Sequence, residues 1–192
     1  GLRPDGNCRS CMVEIKGERV LAPSCCRAPA AGMEVTSNSD RAVRSQKMVV
    51  ELLASDVPER VYKLDSELDT WKRKLGIGAP RFPAREQPAA DLSHPAMAVN
   101  LDACIQCTRC VRACREVQVN DVIGFAYRGA QARIVFDLDD TLGASSCVAC
   151  GECVRACPTG ALMRAPSPSA PRSSPLAQAG AVAAKQVDSV CP

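Results

Sequence analysis

Cys104-Ile105-Gln106-Cys107-Thr108-Arg109-Cys110-Val111-Arg112-Ala113-Cys114 and Cys147-Val148-Ala149-Cys150-Gly151-Glu152-Cys153-Val154-Arg155-Ala156-Cys157-Pro158 are two copies of one pattern, C-x2-C-x2-C-x3-C. Three thiols at two-residue intervals can wrap a tight loop around three corners of a compact inorganic centre. The fourth falls on a short helix, expected at 111–117 in the first copy and 154–156 in the second, which carries its sulfur away from that loop. Zinc knuckles use C-x2-C pairs, so a third cysteine at the same step is surplus to a tetrahedral ion. Disulfides fail on geometry, because cysteines this close cannot all pair without strain. Soft thiolates in this number and spacing suit iron–sulfur chemistry.

A run written twice in this way has the spacing of a two-cluster ferredoxin, in which the fourth cysteine of each run ligates the other cluster. The expected ligand sets are Cys104, Cys107, Cys110 and Cys157 on one 4Fe–4S cube, and Cys147, Cys150, Cys153 and Cys114 on its neighbour. Arg109, Arg112, Arg115 and Arg155 stand beside these ligands. Positive charge there favours the reduced, more negative clusters; a solvated basic face on two short helices is the alternative reading.

Composition agrees with a core organised by metal. Trp71 is the only tryptophan, beside two Tyr and three Phe, while 13 residues are cysteine. Metal–thiolate bonds can replace part of a missing hydrophobic core. The net charge of +3 is too mild to argue for nucleic acid or an anionic membrane as partner. No apolar stretch approaches the roughly 20 residues of a membrane span. Reduced cysteines and the lack of a secretory signal pattern give the cytoplasm as the expected location.

Working outward, residues 1–38 are rich in Gly, Pro and Cys, with short β-type stretches at 12–16, 19–22 and 33–36. A helix is expected at 40–54, capped by Asp40, with Val43, Met48, Val49, Leu52 and Leu53 as its apolar face and Pro58 as its stop. A second is expected at 61–75, with Leu64, Leu68, Trp71 and Leu75 at helical steps as core packing. These helices and a Pro/Ala-rich stretch make a connector, 39–95. The double-run module occupies 96–164, with a β-hairpin of 119–127 and 132–136 around Arg128-Gly129. Residues 165–184 read as a flexible linker and 185–192 as the start of another domain.

Near the start, Cys8, Cys11 and Cys25 form C-x2-C-x13-C, three thiolates where a 2Fe–2S cluster needs four. Cys26 is the other candidate ligand. Adjacent cysteines cannot easily present both sulfurs to one small cluster, so Cys26 is read as a buried thiol.

Gly6-Asn7-Cys8-Arg9-Ser10-Cys11, Ser24-Cys25, Gly32-Met33, the two cysteine runs and Cys157-Pro158-Thr159-Gly160-Ala161-Leu162 together resemble an iron–sulfur region shared by three groups. These are the large iron–sulfur subunit of NADH:quinone oxidoreductase, the iron-only hydrogenases with their diaphorase relatives, and the alpha subunit of cytoplasmic NAD-dependent formate dehydrogenase. The resemblance implies an α+β chain: a partial β-grasp 2Fe–2S ferredoxin-like domain, a helical connector, then a bacterial-type double 4Fe–4S ferredoxin module. It also implies a fourth 2Fe–2S ligand three positions before Gly1, since the run in these relatives is C-x10-C-x2-C-x13-C. The chain is accordingly expected to be a fragment.

Two features sort the relatives. Many carry a His-Pro and three cysteines after the first helix, ligating a further cluster. Here Val57-Pro58 stands in that frame and no cysteine occurs between Cys26 and Cys104. That cluster is expected to be missing, and His94, the only histidine, reads as a surface or packing residue. At the other end, Val187-Asp188-Ser189-Val190-Cys191-Pro192 resembles the opening of a molybdopterin oxidoreductase domain, with Cys191 as first ligand of a further 4Fe–4S centre.

Together these favour formate dehydrogenase. The implied function is electron relay from formate, oxidised at a molybdenum or tungsten pterin in a downstream domain, to an FMN/NAD-binding diaphorase-type subunit accompanied by a small 2Fe–2S subunit. These residues themselves carry no catalytic site. The alternatives are the same segment of an NADH:quinone oxidoreductase or NAD-linked hydrogenase, a free-standing ferredoxin-like carrier, and a zinc-bound structural module.

Overall fold

The computed structural model describes Pro4, residues 6–57, Lys63 and residues 66–166. Residues 58–62, 64–65 and 167–192, which include Pro58, Leu64 and Cys191, lie outside them. Three short strands open the fold: β1 (Met12–Ile15), β2 (Ala22–Pro23) and β3 (Val35–Thr36), in the antiparallel order β2-β1-β3. Alternation along β1 buries Val13 and Ile15, which form a small core with Ala22 and half-buried Met33. The edge strand β2 is shorter than the expected 19–22, because pairing starts only at Ala22, opposite Val13.

Helix α1 (Asp40–Ser55) is capped by Ser39 rather than Asp40: the Ser39 hydroxyl accepts from the Ala42 N–H at 3.3 Å. Asp40 then sits in the first turn, where a carboxylate suits the helix dipole. The buried face is Ala42, Val50 and Ala54, whereas Met48 and Leu52 are exposed. Small residues face inward because the helix lies close to β1, and Gln46 reaches the Met12 carbonyl. Helix α2 is observed from Glu67 to Leu75, capped by Ser66 and closed by Gly76 at φ +62°. Of its apolar stripe Leu68 is buried, while Trp71 is 45% exposed under a cation–π contact from Lys74. The stripe therefore builds less core than its periodicity implies.

The module with the cysteine runs has its own core. Strand β4 (Met97–Val99) pairs antiparallel with the last strand, β7 (Leu162–Arg164). Between them come α3 (Arg109–Arg112), running into a π-helical turn at Ala113–Val117, then the hairpin β5 (Ile123–Ala126)/β6 (Arg133–Phe136), then α4 (Glu152–Ala156). The hairpin is as expected, except that β5 starts late because Val119 and Asp121 have positive φ. Cys104, Cys110, Cys114, Cys153 and Cys157 belong to the same buried cluster as Leu101, Val111, Ile134, Phe136, Leu142 and Leu162. This core is built around sulfur.

The connector is fixed at defined points. Arg85, mostly buried, binds Asp56 at 2.6 Å and the Ala132 carbonyl at 3.2 Å, joining the end of α1 to the hairpin. Asp91 accepts from the N–H groups of Ser93 (2.9 Å) and Leu142 (2.6 Å). Backbone approach is so close here that a Cβ on Gly143 would sit 2.5 Å from the Ser93 carbonyl oxygen. His94 is buried, and its Nδ1 accepts from the N–H groups of Ala96 and Met97. It is a packing residue that ties a turn.

Candidate metal centres

Each cysteine loop turns by an unusual backbone device. Gln106 and Thr108 in the first run, and Ala149 and Gly151 at the matching places in the second, all have φ between +54° and +77°. For Gln, Thr and Ala that conformation is strained, and such strain gathers at functional sites. It folds the loop tightly enough to aim successive sulfurs inward. Arg9, inside Cys8-Arg9-Ser10-Cys11, repeats the device at φ +56°.

Cys104, Cys107, Cys110 and Cys157 line one small cavity, closed by Ile134, Thr159 and Leu162. Three come from the first run and one from the end of the second. Thr159 locks the arrangement, its buried hydroxyl donating to the Ala103 carbonyl at 2.6 Å, and the Asn100 N–H donates to Ala161 at 2.8 Å. Burial, with the neighbouring Cys107 and Cys157 adding to it, pushes the Cys104 thiol up to about 11. Cys110 is driven well above the ordinary thiol range, first by burial and then by Cys104, Cys107, Cys157 and Cys153.

Cys153 is pushed up to about 12, by burial first and then by Cys147, Cys150 and Cys114 as near neighbours. Cys114, from the first run, is thus one of the near neighbours of Cys153. The turn that carries Cys114 is π-helical: the Gln118 N–H donates to the Ala113 carbonyl, so the turn holds one residue more than an α-helical one. Cys150 is exposed and Cys147 half-buried, so this second set is the nearer to solvent. Both sets fit a four-thiolate cube: a cavity walled by four cysteines in one case, three thiols gathered near Cys153 in the other. Among the described residues no three His, Cys, Asp or Glu side chains form a single-ion site.

The N-terminal thiols meet the module across a cleft of about 1010 Å³, whose walls include Cys8, Cys11 and Cys25 on one side and Cys107 and Cys157 on the other. Cys11 is lowered: burial opposes ionisation, but hydrogen bonds from Cys25 and Ser24 outweigh it. Cys25 is raised to about 12, mainly by its hydrogen bond to Cys11. Cys26 corrects the sequence reading, since it is exposed rather than buried. Its sulfur lies 3.6 Å from that of Cys25 but tucks under Gly6, where a Cβ would approach it to 2.9 Å. It does not face the cleft that Cys8, Cys11 and Cys25 share.

The basic residues divide. Arg109, Arg112 and Arg155 line the cleft, whereas Arg115 pairs outward with Asp121 at 2.7 Å. Arg109 forms a two-pronged pair with Glu67 at 2.6 and 2.8 Å. Its pKa is raised, first by Glu67 and further by Cys107 and Cys8. Lys63 donates to the Cys157 carbonyl at 3.1 Å. Sequence periodicity carried no sign of the Lys63 and Glu67 contacts, because both cross from the connector to the module.

Residues 103–161 match the 4Fe–4S dicluster domain family, and residues 1–40 the 2Fe–2S iron-sulfur cluster binding domain family. The chain carries both kinds of iron–sulfur domain. It is 35% identical over 169 residues (82% of the chain) to the NADP-reducing hydrogenase subunit HndD of Solidesulfovibrio fructosivorans, covering 28% of that protein. It is 33% identical, over its whole length, to an NADH-quinone oxidoreductase subunit of Rhizobium meliloti (strain 1021), covering 22% of it. The putative formate dehydrogenase YrhE of Bacillus subtilis (strain 168) is 32% identical over 83% of the chain, with 17% of that protein covered. The chain thus spans less than a third of the length of each of these relatives. A chain of the NAD+-reducing [NiFe]-hydrogenase crystal structure in its H2-reduced state superposes with a TM-score of 0.77 at 27% identity, covering 90% of this chain and 75% of that one. Among the described residues no helix is long and apolar enough to cross a membrane.

Proposed function

We propose that the chain is an electron relay within a larger NAD-linked oxidoreductase. The observation that carries this is the cavity walled by Cys104, Cys107, Cys110 and Cys157, set beside a second thiol group and one cleft away from a third. In this reading Cys104, Cys107, Cys110 and Cys157 hold one 4Fe–4S cube, Cys147, Cys150, Cys153 and Cys114 a second, and Cys8, Cys11 and Cys25 a 2Fe–2S cluster completed by a thiolate outside the sequence. Bound there, the clusters supply one-electron redox chemistry. The protein contributes distance, burial and charge. Burial of Cys104, Cys110, Cys153 and Cys157 keeps water from the sulfurs, and the arginines favour added negative charge.

The donor proposed is formate, oxidised at a molybdenum or tungsten pterin in a domain that includes Cys191, with an FMN/NAD-binding subunit as acceptor and a small 2Fe–2S subunit beside it. The likeness to the putative formate dehydrogenase and the Val57 substitution support this donor. A second reading, the corresponding segment of an NADH:quinone oxidoreductase or NAD-linked hydrogenase, has support from the fold likeness to the hydrogenase chain and from the two other relatives. Reduction of the clusters in the native complex separates them, followed by low-temperature EPR. Formate alone reduces them on the first reading; reduction by hydrogen or NADH but never by formate overturns it in favour of the second.

A further inference from the structure

The cleft between the N-terminal thiols and the module is charged in a particular way. Lys63, Arg109, Arg112 and Arg155 line it against Glu67 and Glu152, so cations outnumber acids. Arg109 is the member placed between two thiol groups: it follows Cys107 by two residues, its side chain enters the cleft that Cys8 also lines, and its guanidinium is fixed from the far side by both oxygens of Glu67. Glu67 is itself placed by the module, its N–H donating to the Pro158 carbonyl at 3.1 Å, one residue from Cys157. The ion pair thus closes a circuit: first run, connector helix, end of the second run.

We propose that Arg109, held by Glu67, is a positioning residue shared by two redox centres, setting the potentials of the 2Fe–2S site at Cys8 and of the cube at Cys107 together. This rests on the cluster assignment above. Each reduction adds one electron and one negative charge, with no bond made or broken. A cation beside both thiolates stabilises both reduced forms. The cube at Cys147, Cys150, Cys153 and Cys114 lies off the cleft, apart from α4, and is affected less. Glu67 contributes twice, orienting the fork of Arg109 and partly offsetting its charge.

The test is potentiometric EPR on the cluster-loaded native complex, with dithionite as reductant, comparing Arg109→Gln, Arg109→Lys and Glu67→Gln with the unsubstituted protein. Arg109→Gln lowers the midpoint potentials of the 2Fe–2S centre and of one cube together, and leaves the other cube nearly unmoved. Arg109→Lys restores most of both shifts. Glu67→Gln moves the same two potentials the opposite way, which mere loosening of the cleft does not produce. Both signals present with potentials unmoved by Arg109→Gln, or both substitutions shifting them in the same direction, overturns the inference alone. Absence of either signal from the unsubstituted protein overturns the cluster reading and this inference with it.

Discussion

Replacing Cys157 by alanine separates ligation from folding. The residue is 7% exposed, and the substitution removes only its sulfur with a long 3.9 Å contact to the Thr159 hydroxyl, since the Cys157 N–H bond to Cys153 and the Lys63 bond to its carbonyl are backbone contacts. Losing one buried atom of that size costs about 1 kcal/mol, small beside the ~5–15 kcal/mol that holds a typical domain. Side-chain burial alone therefore leaves the module folded, less stable by the metal–thiolate free energy that goes with the lost cube, while the cavity of Cys104, Cys107 and Cys110 is left with three thiolates. Iron analysis should show loss of roughly half of the iron of the dicluster region, about four atoms of about eight. The EPR signal that disappears should be the one Cys104→Ala also removes, and Cys114→Ala should remove the signal that Cys147→Ala removes. If Cys157→Ala instead abolishes only the signal dependent on Cys147, the crossed ligation is wrong.

Three further outcomes follow from the geometry. Cys25→Ser should abolish the 2Fe–2S absorption and EPR signal while Cys26→Ser leaves both in place, because only Cys25 faces the cleft; loss in both variants would make Cys26 a ligand. Asp91→Ala should lower the urea unfolding free energy by about 1.5 kcal/mol, the low end for hydrogen bonds to a charged group, since two N–H donors lose one acceptor. The Asp91 carboxyl is held below its ordinary value, the Ser93 and Leu142 donors outweighing the opposing effect of burial. Its contribution is therefore present above the ordinary carboxylate range and fades as pH falls through the lowered value, so Asp91→Ala and wild type should converge in acid. Leu162→Ala, at a position 1% exposed on the cavity wall, should cost about 3 kcal/mol and speed iron loss to a chelator; a change under about 0.5 kcal/mol would show that the wall collapses to refill the space.

The cysteine runs were legible because cluster spacing is a local code: the distance between ligands along the chain is itself the signal. The hairpin was legible for the same reason, with Gly129 between two apolar runs. Helix α1 was found but turned wrongly, because Ala42 and Ala54 are the buried positions and small residues carry little weight in an apolar pattern. The cap at Ser39 was missed for its acidic neighbour, Asp40. Left-handed Gln106, Thr108 and Ala149 leave no trace in sequence, since residue type there disfavours the conformation that the loop imposes. The cleft was invisible altogether: Arg109, Glu67, Lys63 and Cys8 come from distant stretches and meet only in three dimensions.

The pairing of β4 with β7, Met97 opposite Arg164 and Val99 opposite Leu162, means that the backbone enters and leaves the dicluster module at neighbouring points. Such a unit behaves as a cassette. It can be spliced into a longer polypeptide without pushing apart whatever lies on either side, because its two ends are already a strand's width from each other. Lengthening an electron wire by a pair of stepping stones then requires no change in the architecture of the flanking domains, only two adjacent joints.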